Sequence, residues 1–220
     1  MMRTLQRWLV AMLSVLLVGC GTPYATVDNA VGEPVMLLGH DPVAYFTEGK
    51  PVRGAAQHKV SLPDRAYYFA SARHAEMFRA DPSKYEPQYG GFCASGAAFA
   101  VKLGSDPTAW QIVGGRLFIF GDIIGQTAWQ LDPAWNIGHA DALWPDIRDR
   151  GWRGQSLRAY ASKVPHYLTG AQIKAEWEKR YPGRSWPSYD PGGMVSNLFV
   201  KRPGWRAAEG FGQPALGYPQ

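Results

Sequence analysis

Two cysteines hold most of the chemistry open to this 220-residue chain. Cys93 stands in "PQYGGFCASGAAFAV", behind two glycines and a phenylalanine and ahead of a run of small residues. A thiol in that setting has three roles open to it. As a thiolate it ligates soft or borderline metals. As a nucleophile it needs a nearby base or a lowered pKa. As a small apolar side chain it simply fills a close-packed stretch. Gly90 and Gly91, just before it, suit backbone conformations closed to other residues.

Cys20 poses a different question. "MMRTLQR" carries Arg3 and Arg7 and no acid, and "WLVAMLSVLLV" follows. That apolar run has the length of a signal-peptide core and is too short to span a bilayer. The segment ends Leu17-Val18-Gly19-Cys20, which resembles a bacterial lipobox. The resemblance implies cleavage of residues 1–19 and lipidation of Cys20 with acyl chains such as palmitate. The protein is then held in the cell envelope, with the membrane as partner through that anchor. Gly21 replaces the aspartate that favours retention at the inner membrane, so the expected address is the outer membrane, facing the periplasm. With Cys20 acylated, Cys93 has no cysteine left to pair with inside the chain.

Composition narrows the remaining classes. The chain is 46% hydrophobic and 19% charged, enough apolar content for a real core. Its formal charge of +5 is spread along the sequence, so nucleic acid is not an expected partner. It has no phosphate loop, dinucleotide fingerprint or H-E-x-x-H helix.

The elements that would position Cys93 can be read in outline. Residues 20–34, "CGTPYATVDNAVGEP", read as a flexible tether. "PVAYF" (42–46) alternates and reads as a strand. "HKVSL" (58–62) and "AYYF" (66–69) flank Pro63-Asp64-Arg65 and read as a hairpin. Ser71 is a plausible N-cap for "ARHAEMFRA", which Asp81-Pro82 stops. Ala75 and Phe78 share the face of that helix expected to pack. "WQIVGGRLFIF" (110–120) predicts a tight hairpin over Gly114-Gly115.

"GHDPVAYFTEGKPVRG" (39–54), "YYFASARHAEMFRADPSKYEPQYGGFCA" (67–94) and "DPTAWQIVGGRLFIF" (106–120) come in that order. Together they resemble the YHS domain in its exported, stand-alone form. The resemblance covers about eighty residues and implies an α+β fold of short antiparallel strands and hairpins with packed helices. It also implies a metal site around Cys93, because members of the family are proposed to bind metals, through paired cysteines in the short forms. Here Ala70 and Ser71 stand where a second thiol would be placed. A site would therefore combine Cys93 with His40 and Asp41 of the opening motif, or with His74 and Met77 of the helix. Such a mixed nitrogen–sulfur set suits copper first, with zinc or iron as alternatives. Each residue also has a structural reading. Asp41 before Pro42 can cap a turn, His74 can be a solvated side chain, and Met77 can belong to the core. His58 sits in an expected strand with no partner motif.

Seven of the nine tryptophans lie after residue 120. "IIGQTAWQL" and "NIGHADALWPDI" read as short helices around Asp132-Pro133. The YHS-like domain is expected to run from 35 to 147. His139 and Asp141 fall two apart, on different helical faces, and are not read as a chelate. Residues 148–220 form a C-terminal extension, with a helix over 169–181. Thr169 would cap that helix; Ile173, Trp177 and Tyr181 would line one face, with a Glu176–Arg180 pair outside. Residues 182–220 have too much Pro and Gly for regular structure and too many aromatics for ordinary disorder. They read as an extended arm that wraps its own domain or docks on a protein partner.

Three functions follow from these residues. The first is a metal-handling lipoprotein centred on Cys93. The second is a structural or interaction lipoprotein that uses the aromatic arm. The third is a thiol-dependent enzyme, for which no base is placed by motif, so the chain is not expected to be an enzyme.

Overall fold

The computed structural model describes residues 21–151 and 170–183. The expected signal peptide and Cys20, Thr169, and the expected arm from 184 onward lie outside the described residues. The fold is α+β, as the sequence implies. Among the described residues, six short strands form two sheets. The first contains β1 (Thr26–Asp28), β2 (Pro34–Met36), β3 (Ala55–Leu62) and β4 (Arg65–Phe69), in the order β1-β2-β4-β3. β2 runs parallel to β4, with Val35 opposite Ala66; the other pairs are antiparallel. The second is the hairpin of β5 (Asp106–Val113) and β6 (Arg116–Phe120). Gly114 and Gly115 have φ of 58° and 73°, the left-handed pair that a tight two-residue hairpin turn requires.

β6 explains the run "LFIF". A strand sends successive side chains to opposite faces. Leu117 and Ile119 join one core with Tyr45, Tyr67, Phe69, Phe78 and Trp110. Phe118 and Phe120 join a second with Tyr89, Ala97 and Trp129. The hairpin is thus a wall between two cores, and both its faces must be apolar.

Four of the helices come from local signals. Ser71 accepts a hydrogen bond from the His74 amide and opens α2 (Ala72–Ala80), which follows α1 (Ala44–Thr47) in the chain. Ala75 and Phe78 are its buried residues. Asp81 ends it and caps α3 (Pro82–Tyr85) with Pro82 in the first turn. α4 (Ala94–Ala97) follows Cys93. Asp122 and Asp132 cap α5 (Ile123–Trp129) and α6 (Pro133–Ile147).

Several expectations are corrected. Residues 42–46 are no strand: Asp41 Oδ1 accepts from the amides of Val43 (2.8 Å) and Ala44 (3.3 Å) and starts the single turn α1. Residues 21–34 are no loose tether, because β1 pairs with β2 and the Ala25 amide reaches the Gly90 carbonyl at 2.8 Å. The second of the two short helices is a full fifteen residues. In α7 (Gly170–Arg180) Trp177 is buried, but the ion pair joins Lys174 to Glu178, and Arg180 donates instead to the Leu131 carbonyl. One feature has no local signal at all. Leu37, Leu38 and Gly39 are all left-handed, with φ of 53°, 51° and 79°. Leucine resists that region, so the turn is imposed from outside. Arg53 holds the Leu38 carbonyl at 2.6 Å, and the Gly54 amide holds that of Gly39 at 2.9 Å.

Candidate functional site

The strained turn delivers the chain to Asp41, which is fully buried. Its two oxygens are completely engaged. Oδ1 takes the two amides that start α1. Oδ2 accepts from the Ala70 amide at 2.8 Å and from His74 Nδ1 at 2.7 Å. A carboxyl group offers about four lone-pair directions, and here each meets a donor. Asp41 is therefore a brace joining α1, the end of β4 and α2.

The bond to Asp41 fixes His74. With Nδ1 donating to the carboxylate, the neutral ring has its lone pair on Nε2. The side chain is 13% exposed, and Nε2 lies 3.4 Å from Thr47 Oγ1. A hydroxyl, an imidazole and a carboxyl thus fall in one line, the connectivity of activated nucleophiles. The Thr47 hydroxyl, however, donates to the Val43 carbonyl at 3.1 Å within its own helix, and Thr47 is exposed. The arrangement orients the imidazole more than it activates the hydroxyl. Thr47 was not a sequence candidate, since it lies 27 positions from His74.

The other candidates are dispersed. His40 is buried, with Nδ1 2.9 Å from the Leu37 carbonyl. Burial pushes its pKa down, which favours the neutral ring. Met77 is half-buried against the first core. Cys93 lies elsewhere. Its amide donates to the Leu103 carbonyl at 3.1 Å, and a methyl group on Gly121 would sit 3.5 Å from Sγ. Burial pushes the thiol up; the amides of Gly96, Gly121 and Ser95 pull the other way without reversing it. Gly90 and Gly91 both have positive φ, as their placement before Cys93 suggested. His139 stacks on Trp135, while Asp141 faces away, accepting from Tyr89 and pairing with Arg116 at 2.6 Å. Among the described residues no three His, Cys, Asp or Glu side chains gather so as to hold a metal ion.

A groove between β1, the left-handed turn and β3 carries Asp28, Asn29, Arg53 and Tyr68. Its polar groups serve the fold: Arg53 is held by Leu38, and Asn29 donates to Tyr68 Oη at 2.9 Å.

The state of Cys93 is directly measurable. In the folded protein it should alkylate at least about a hundredfold more slowly than in urea, because only the thiolate is nucleophilic and burial keeps it protonated and shielded. Equal rates measured by mass spectrometry would place Cys93 in solvent.

No protein-family model, curated protein or solved structure matches the chain. No helix among the described residues is long and apolar enough to cross a membrane.

Proposed function

We propose that this chain is a lipid-anchored protein of the bacterial cell envelope whose YHS-like domain is a non-catalytic interaction platform. The observation that carries the reading is how the motif residues are used. Asp41 of the opening motif has both oxygens committed to the fold, and Cys93 of the middle motif is buried with its thiol pushed toward the protonated form. Groups spent in this way stabilise a shape; they do not turn over a substrate. The lipobox-like Leu17–Cys20 supports the anchor and the envelope address, with the outer membrane, on its periplasmic side, as the expected location. The aromatic run beyond residue 183 supports a protein partner.

Metal handling is a second reading, and one observation favours it. A ligating histidine commonly donates its other ring N–H to a carboxylate, and His74 does so to Asp41. His74 Nε2, with Met77 three residues on, would then take copper, zinc or iron, and Cys93 would not. The test is metal content of the lipidated protein purified from membranes, for wild type, Cys93→Ser and His74→Ala. The platform reading expects the same substoichiometric content in all three. One equivalent of metal lost in His74→Ala would replace it with the metal reading. The same loss in Cys93→Ser would restore Cys93 as the central ligand.

A further inference from the structure

The first residues after Cys20 are tied into the fold. Lys102, fully buried, donates from Nζ to the Thr22 carbonyl at 2.9 Å and to the Arg148 carbonyl at 2.6 Å. One ammonium group thus ties the start of the described chain to the C-terminal end of α6. Gly21 is pressed on the same end: a Cβ there would fall 2.1 Å from the carbonyl carbon of Arg150. Only glycine allows that approach. Beyond Thr22 there is no slack. The Arg65 guanidinium lies 3.9 Å over the Tyr24 ring, the Ala25 amide is bonded to Gly90, and β1 begins at Thr26.

This arrangement limits how far the domain can stand from a lipidated Cys20. Only Gly21 lies between Cys20 and Thr22, and an extended chain covers at most about 7 Å over those two residue steps. The headgroup layer on each side of a bilayer is itself roughly 5–8 Å thick. An acyl chain in the hydrocarbon therefore brings the end of α6 down to the headgroups, with no room for an intervening protein layer. The residues there are Arg148, Asp149 and Arg150, all exposed, with Arg148 and Asp149 paired at 3.3 Å. Arginine suits such a surface because its planar fork matches phosphate oxygens.

We propose that the C-terminal end of α6, with Gly21 and Thr22 beside it, is a seat for the phospholipid bilayer surface, so that the domain is mounted rigidly on the membrane. This rests on the lipid-anchor reading above. The seat fixes which face points to the lipid and leaves the opposite faces to the periplasm.

The test is amide hydrogen exchange on the full-length lipidated protein in phosphatidylethanolamine–phosphatidylglycerol vesicles, compared with soluble Cys20→Ser. Residues 146–151 and 21–24 are expected to exchange roughly tenfold more slowly on vesicles, with β3 and β4 unchanged. A ten-residue Gly-Ser insertion between Gly21 and Thr22 should abolish that protection while leaving exchange in the cores as it was. Acylated protein whose residues 146–151 exchange as in solution overturns the seat alone. Protection in native membranes but not in pure lipid vesicles also overturns it, assigning the face to a protein. A Cys20 found unacylated by mass overturns the anchor reading and the seat with it.

Discussion

Asp41→Ala is expected to lower stability by about 3–4 kcal/mol, measured by urea denaturation. The substitution leaves the amides of Val43, Ala44 and Ala70 and the Nδ1–H of His74 without their acceptor. An orphaned buried donor costs about 1–3 kcal/mol. Ala70 is exposed, so water replaces part of that bond. Asp41→Asn should cost less, about 1–2 kcal/mol. Its amide oxygen can still serve α1, but its NH2 is then turned toward the Ala70 N–H, two donors face to face. His74→Ala should cost about 1 kcal/mol, since it removes one donor and leaves the brace in place. The ranking separates a brace from a ligand. Were Asp41 held in the sequence for metal, Asp41→Asn would leave the metal-free protein as stable as wild type and change only its affinity. Equal stability of wild type and Asp41→Asn in the presence of a chelator would remove the brace.

The parts of this fold legible in the sequence are those written in neighbouring residues. Gly114-Gly115 between two apolar runs specifies its hairpin, because no other pair sits as easily at two successive positive φ values. Ser71 and Asp81-Pro82 bracket α2 for the same kind of reason. What escaped depends on distant partners, except at residues 42–46, where the capping side chain is the adjacent Asp41. The alternation of "PVAYF" suggests a strand, but the Asp41 side chain captures the two following amides and makes a helical turn. Leu37 and Leu38 carry no sign of a left-handed turn; Arg53 and Gly54 impose it from the next segment. "CGTPYATVDNAVGEP" has the composition of a tether, yet Lys102, eighty positions away, pins its start. The candidate site divides along the same line. His74 and Asp41 were both singled out, and the structure joins them. It does so as donor and acceptor 33 residues apart, a relation that no spacing rule contains. Thr47, which completes the line, gave no signal.

Lys102 supplies the test that depends most on pH. In a Cys93→Ala background, stability should rise by about 2–3 kcal/mol from pH 7 to pH 10, and Lys102→Met should abolish the rise. Burial pushes the Lys102 pKa down to about 8, with Asp149 opposing the shift. An unfolded lysine titrates near 10.4. Below pH 8 both states hold the proton, so the cost of burying the charge is constant. Between about 8 and 10.4 the unfolded chain binds more protons than the fold, and unfolding becomes harder as pH rises. Each unit of that gap is about 1.4 kcal/mol, and roughly two units are traversed by pH 10. The background removes an effect of opposite sign. The Cys93 thiol is pushed up by burial, so near pH 9 the unfolded chain loses its proton first and stability falls. Tyr45, Tyr67 and Tyr89 are also raised by burial and oppose the rise in the same way as pH nears 10, where unfolded tyrosines ionise, so the lysine's share is read as the difference between the profiles with lysine and with methionine at 102. Lys102→Met keeps an apolar stem near the Phe92 ring, which the ammonium now approaches at 5.1 Å, but offers no donor to the Thr22 and Arg148 carbonyls. At pH 7 it should therefore free residues 21–24 for exchange while sparing the two cores. Identical pH profiles with lysine and with methionine at 102 would mean that the amine titrates in water. The clamp on the N-terminal segment would then not exist.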